Sequence, residues 1–246
     1  GCVVCCTMPS SVPEGGIALL VVDVQHDFLD GSLAVPEARG ILPNLVRIIK
    51  EGDWDLVVAT QDFHPPNHIS FAERHGVAPF QMHDVPHPFW ESKSTVSQMM
   101  WPVHCVQGTQ GAEIDDTITA ALDERKAWGT PVRYVQKGQD PNFDSYSAFA
   151  SNEYVMFTEL ISVLFSAQPH PIRTVVVVGL ATDYCVLSTA VDAAKFGLRV
   201  YVVDDCMRGV DPKTTQDARE KMRAYGVQMY ETTDELLAAI HRPSGF

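Results

Sequence analysis

Four consecutive valines, Val175, Val176, Val177 and Val178, constrain this chain more than any other stretch. A strand that is apolar on both faces cannot border water, so the run reads as an interior strand of a parallel sheet with helices on either side. It stops at Gly179. After Cys185 the period changes, and Leu187, Ala190, Val191 and Ala194 recur at helical spacing up to Gly197. Thr182 or Asp183 is the expected N-cap. Cys185 therefore falls in the first turn of a helix, at the carboxyl edge of a central strand, where open α/β sheets bind ligands. A helix N-terminus lowers a thiol pKa and offers N–H groups to a developing oxyanion, so Cys185 is a candidate nucleophile. A small buried apolar cysteine is the alternative reading of the same position.

The same alternation runs through the chain. Apolar runs at 17–24, 56–60, 132–135, 198–203 and 227–230 read as further strands. Helical periods cover 41–50, 113–122 and 157–165. Asp211-Pro212 is a cap followed by an N1 proline, opening a helix that Gly226 ends. Thr232 and Glu235 form a capping box ahead of 236–240. Strands alternating with helices predict an α/β fold: an open, doubly wound, mostly parallel sheet with helices on both faces, Rossmann-like and three-layered. The eight strand–helix units of a closed barrel are not present. A chain of 246 residues suits one domain, expected over 17–246 after a loose Pro/Ser/Gly-rich tail at 1–16. Residues 70–106 carry no sustained period and are dense in His, Pro and Trp. A long loop is expected across 62–106, and such loops in compact domains are usually functional.

A net charge of −13 argues against nucleic acid or an anionic membrane as partner. No apolar run approaches the roughly 20 residues of a bilayer span. Of the six cysteines only Cys2, Cys5 and Cys6 cluster, which is no disulfide framework for this length and points to a reducing, cytoplasmic setting. Gly1 followed by cysteines would allow acylation if a methionine once preceded it, although Cys5 stands where Ser or Thr is usual. A loose tail is the alternative.

Several polar residues share the sheet edge with Cys185. Asp23 stands near the end of the 17–24 run. Asp62 and His64 follow the 56–60 run, and residues two apart on extended chain point the same way. An oxygen and an imidazole ligand together suit a divalent metal, while a polar loop would also explain the triplet. His104, pinned between Pro102 and Cys105 beside Trp101, suits a fixed ligand. His68 is an alternative to it, and His75, His83 and His87 read as loop histidines. Lys137 ends the 132–135 run, where it is either a site cation or a solvated lysine. Together Asp23, Lys137 and Cys185 make coherent chemistry. A carboxylate can take the thiol proton, an ammonium can hold the thiolate, and the N–H groups of Ala181 and Cys185 can receive an oxyanion. That describes nucleophilic acyl transfer from an amide.

The segments Val22-Asp23-Val24-Gln25-His26-Asp27-Phe28, Thr60-Gln61-Asp62-Phe63-His64-Pro65, Asn67-His68-Ile69-Ser70-Phe71, Trp101-Pro102-Val103-His104-Cys105, Gln136-Lys137-Gly138 and Gly179-Leu180-Ala181-Thr182-Asp183-Tyr184-Cys185-Val186 resemble, in order, those of the isochorismatase-like cysteine hydrolases, and within them the nicotinamidases. The resemblance covers about residues 19–230. It implies an Asp23–Lys137–Cys185 triad and a divalent metal, commonly Zn2+, on Asp62, His64 and His104 with water. It implies that this metal takes the pyridine nitrogen of nicotinamide and places the carboxamide over Cys185, giving a thioester that water hydrolyses to nicotinic acid in NAD salvage. Pyrazinamide, with the same relation of ring nitrogen and carboxamide, is an expected second substrate. Phe28, Phe63 and Tyr184 are expected to pack the ring, although Phe63 stands where the family would have Trp. A non-proline cis peptide is expected at Leu180–Ala181. A homo-oligomer is allowed. Three alternatives differ in kind. Another amidase or carbamoyl hydrolase of the family, such as a ureidoacrylate hydrolase, does not ordinarily carry the metal ligands. An isochorismatase proper is not expected to have the cysteine. A noncatalytic metal- or nucleotide-binding module on a flavodoxin-like fold would share the sheet but not the triad.

Overall fold

The computed structural model describes residues 15–87 and 94–242. The acylation reading at Gly1, most of the expected loose tail and residues 243–246 lie outside the described residues. In chain order the strands are β1 (Gly16–Val22), β2 (Leu56–Asp62), β3 (Met82–Pro86), β4 (Thr95–Met99), β5 (Val132–Lys137), β6 (Ile172–Leu180), β7 (Arg199–Arg208) and β8 (Gln228–Tyr230). The helices are α1 (His26–Leu29), α2 (Leu42–Glu51), α3 (Ala72–His75), α4 (Asp116–Ala127), α5 (Leu160–Phe165), α6 (Leu187–Lys195), α7 (Pro212–Ala224) and α8 (Thr233–Ile240).

The apolar runs form a six-stranded sheet in the order β5-β2-β1-β6-β7-β8, with every pair parallel. Every residue of β1 is buried, because it pairs with β2 along one edge and β6 along the other and is covered on both faces. Its odd residues, Ile17, Leu19 and Val21, join a core with Leu45 of α2, Ile118 of α4 and Leu236 of α8. Its even residues, Ala18, Leu20 and Val22, join one with Leu164 of α5, Ala190 of α6 and Met222 of α7. Two helical layers thus sandwich one sheet, as expected from the alternation. The four valines of β6 are all 0% exposed. Burial of each contributes about 1.5–3 kcal/mol. Gly179 follows them at φ 116°, and a Cβ there would lie 2.1 Å from the Val22 carbonyl oxygen. No other residue lets β6 lie this close to β1 at that point.

Residues 70–106 are not the unstructured loop expected from their lack of period. β3 and β4 pair antiparallel within this segment. Only Val85 and Gln98 among their residues are buried. The inward face carries His83 and Gln98 beside Val85 and Val96, so polar residues interrupt the hydrophobic alternation that would mark the strands in the sequence. Among the described residues no helix is long and apolar enough to cross a membrane.

The strand order also locates a crevice. From β1 the sheet grows one way through β2 to β5, and from β6 the other way through β7 to β8. The crossovers part between β1 and β6, and ligands bind outside the carboxyl ends of such a pair.

Candidate active site

Four strands deliver polar residues to this crevice. Asp23 turns out of β1 at φ 51°, and its carboxylate oxygen Oδ1 accepts a 2.6 Å hydrogen bond from Thr60 Oγ1 of β2. Lys137, the last residue of β5, is only 2% exposed. Its Nζ lies 2.9 Å from Asp23 Oδ2, 2.5 Å from Asp62 Oδ1 and 3.3 Å from Cys185 Sγ, and donates to the Ser145 carbonyl at 3.0 Å. The reading of Lys137 as a solvated strand-end lysine is therefore incorrect. One ammonium touches both proposed partners of the triad and, in addition, the carboxylate expected on the metal, a contact that sequence spacing does not reveal.

Cys185 arrives from β6. The Leu180–Ala181 peptide is cis, as the resemblance implied. The next turn, Thr182–Val186, is wound as a π-turn, with the Val186 N–H donating to the Ala181 carbonyl at 3.1 Å, and α6 continues from it. π-turns of this kind recur at functional sites. The expected cap is not there. Ala181 occupies the N-cap position without a side-chain bond, and the Asp183 carboxylate instead accepts from the Val210 and Asp211 amides. The helix ends at Lys195, with Gly197 at φ 80° as expected for its C-terminal signal.

Electrostatics follow from burial and from this one cation. Burial alone would lower Lys137, but Asp23 and Asp62 reverse it and hold the ammonium charged, well above the ordinary lysine range. Burial would raise Asp62, but Lys137, then His64 and His104, hold its carboxyl well below the ordinary range. Burial raises Asp23 against the pull of Lys137. Burial also pushes the Cys185 thiol well up, and the two carboxylates add to it against Lys137. The expected lowering by the helix terminus and Lys137 is therefore outweighed. The site holds a thiol beside a base, and a proton must move before the sulfur can attack.

A second cluster adjoins the first. Ligand atoms of Asp62, His64 and His104 all lie within 4.8 Å of one another, and all three residues are buried. The Nε2 atoms of His64 and His104 lie 3.5 and 3.7 Å from Asp62 Oδ2. Each Nδ1 meets a backbone carbonyl, Gly138 at 2.8 Å and Pro102 at 2.7 Å. A carbonyl only accepts, so each Nδ1 carries a proton and each Nε2 is the atom left to bind a metal beside Asp62. Burial would lower His64, but Asp62 reverses it and raises the imidazole above its ordinary value. Two imidazoles and an ionised carboxylate fit a divalent metal. His68 does not join them. Its Nδ1 meets Ser70 Oγ at 2.7 Å and its Nε2 the Phe143 carbonyl at 2.8 Å, so both nitrogens are engaged. Gln25 braces the site from behind, its amide accepting from the Asp62 N–H at 2.9 Å and donating to the Asp62 carbonyl at 2.8 Å.

Between the clusters lies an apolar-walled slot that Asp62, His104, Ala181 and Cys185 all line. Phe28 and Tyr184 line it as expected, but Phe63 does not. Along extended chain Phe63 points away from Asp62 and His64, and it packs against the core instead. Trp101 and Tyr146 supply the aromatic wall, with the Trp101 indole N–H donating to the Tyr146 hydroxyl at 3.3 Å. Trp101 stands beside the expected ligand His104 in the sequence, whereas no motif pointed to Tyr146. What no sequence pattern gave was which aromatic faced inward.

The isochorismatase domain family matches residues 17–234. The nicotinamidase of Acinetobacter baylyi is 40% identical over 223 residues, covering 89% of this chain and 94% of that protein. Two solved structures are also similar. One is the yeast nicotinamidase bound to the inhibitor nicotinaldehyde, at TM-score 0.80 and 30% identity, covering 88% of this chain and 100% of that one. The other is the pyrazinamidase of Pyrococcus horikoshii in complex with zinc, at TM-score 0.64 and 32% identity, covering 88% and 99%.

Proposed function

The chain belongs to the isochorismatase family, and on that premise we propose that it is a nicotinamidase, converting nicotinamide to nicotinic acid and ammonia in NAD salvage and deamidating pyrazinamide as well. The observation that carries this reading is the single Lys137 ammonium in contact with Asp23, Asp62 and Cys185 at the edge of one slot.

Cys185 acts as the nucleophile. Its thiol proton passes to Asp23 as sulfur bonds to the carboxamide carbon, and Lys137 holds the developing thiolate. The N–H groups of Ala181 and Cys185 receive the oxyanion. When the carbon–nitrogen bond breaks, Asp23 returns the proton to nitrogen and ammonia leaves. Asp23 then takes a proton from water, whose oxygen attacks the thioester. The carbon–sulfur bond breaks, and the proton goes back to sulfur. A carboxyl raised by burial suits both directions of this transfer. Phe28, Trp101, Tyr146 and Tyr184 pack the ring. Asp62, His64 and His104 would hold a divalent metal, with zinc the choice that the family resemblance and the zinc-bound pyrazinamidase support, and when bound it would supply a positive centre for the pyridine nitrogen. This donor set favours a nicotinamidase over a metal-free amidase of the same family. Cys105, Cys185 and Cys206 are free and buried, which supports a cytoplasmic setting.

Ammonia release from nicotinamide, with and without a chelator, tests the reading. Cys185→Ala should abolish release while nicotinamide still binds, and turnover surviving in that variant would refute the mechanism. Alkylation of Cys185 should be blocked by nicotinaldehyde.

A further inference from the structure

Asp183 lies two residues before Cys185, yet its side chain serves another part of the chain. It is 7% exposed. Its Oδ1 accepts from the Val210 amide at 3.0 Å, and its Oδ2 from the Val210 and Asp211 amides at 3.2 Å each and from Thr214 Oγ1 at 2.6 Å. Among the described residues no lysine or arginine forms an ion pair with it. Its charge is answered by these donors and by the N-terminal end of α7, thirteen residues long, whose first turn holds Thr214. The carboxylate thus ties the nucleophile turn to the segment between β7 and α7. That segment matters because Val210, whose amide is held, lines the slot together with Phe28, Leu33 and Val35.

We propose that Asp183 is a specificity-determining positioning residue: by fixing the Val210 backbone it sets how closely that apolar wall meets the substrate ring, and so which ring amides fit. The inference rests on the nicotinamidase reading. An asparagine at 183 keeps one acceptor oxygen and turns an NH2 toward amides that need acceptors, so the latch loosens without a change of size. An apolar contact the size of one methylene is worth about tenfold in discrimination. Asp183→Asn should therefore raise KM for nicotinamide about tenfold, with the loss falling on KM rather than kcat. It should raise the kcat/KM ratio of a ring-methylated nicotinamide over nicotinamide about fivefold. Thr214→Val removes one donor at an exposed position far in sequence from the nucleophile, and should move the same ratio the same way by about twofold. Val210→Ala should also raise it, and in the Asp183→Asn background should add nothing further.

The test is ammonia release from nicotinamide and from its ring-methylated analogues for the wild type and these variants. A ratio that rises in Thr214→Val, with non-additivity between positions 183 and 210, supports the proposal. A ratio unmoved in Thr214→Val overturns it, even where Asp183→Asn fails to fold, as do fully additive effects of 183 and 210. Either result with the wild type active on nicotinamide refutes this inference alone, whereas a wild type inactive on nicotinamide removes the reading beneath it as well.

Discussion

Replacing Lys137 with methionine keeps most of the side chain's length and removes the one lysine or arginine, among the described residues, in contact with both Asp23 and Asp62 at the heart of the site. At 2.9 Å the Asp23 contact carries about 6 kcal/mol of gross attraction at an effective dielectric constant of about 20. Asp62, at 2.5 Å, carries slightly more. Desolvation of three buried groups consumes most of this, so the pair energies are not the net effect. The variant, however, strands two carboxylates that are 0% and 5% exposed. Breaking a buried pair by removing one partner costs about 3–5 kcal/mol. That is a large share of the roughly 5–15 kcal/mol that holds a domain together. Lys137→Met should therefore shift the urea midpoint far to lower concentration and abolish ammonia release. The double variant Lys137→Met with Asp23→Asn removes one stranded charge, and should regain part of the stability and none of the activity. Equilibrium urea denaturation of the metal-free proteins, alongside ammonia release, separates the two effects. A single variant as stable as the wild type would show that Lys137 does not neutralise this cluster, and the account of the site's electrostatics would fall with it.

Other outcomes follow from the same geometry. His104→Ala should lose stoichiometric metal by elemental analysis and His68→Ala should keep it, because both His68 nitrogens are already bonded. Gly138→Ala would put a Cβ 2.4 Å from His64 Cε1 at φ 63°, so metal affinity measured by chelator competition should weaken by about 10–100-fold. Asp55 accepts from the Ile17 amide and from both arms of Arg242. Burial opposes this, yet Arg242 and the Ile17 amide hold its carboxyl below the ordinary value. A depressed carboxyl stabilises the fold above its unfolded pKa, about 3.9, and the benefit is lost as pH falls through the lower folded value. Asp55→Asn should lower Tm near neutrality and flatten its decline in acid; a wild-type acid slope in that variant would exclude the Arg242 pair as its source.

The sheet was legible because interior parallel strands are apolar on both faces, and nothing else explains Ile17 to Val22 or the four valines of β6. The meeting of Asp23, Lys137 and Cys185 followed once each was placed at a carboxyl end. Four readings missed the structure, each for a physical reason. β3 and β4 mix polar residues into their inward face, so they write no hydrophobic period. Phe63 was placed in the slot by its type, although the strand alternation that brings Asp62 and His64 together turns the ring between them the other way. Asp183 was assigned to its own helix because a capping residue's sequence position does not say whose amides it will meet. The thiol pKa was misjudged because a helix terminus and a lysine are local and visible, whereas burial is set by the whole fold.

The inner position of β1 has a consequence during synthesis. It needs a partner along each edge, and one of these, β6, is not made until the ribosome has passed everything between Val22 and Ile172. Until then one side of the most apolar strand in the protein has unpaired amides and carbonyls and a template for wrong pairing. The carboxylate that β1 carries and the sulfur that β6 carries meet only when that gap closes. Chains released early should therefore be inert and prone to aggregate, and the first ammonia made by a nascent chain would mark the moment its sheet is complete.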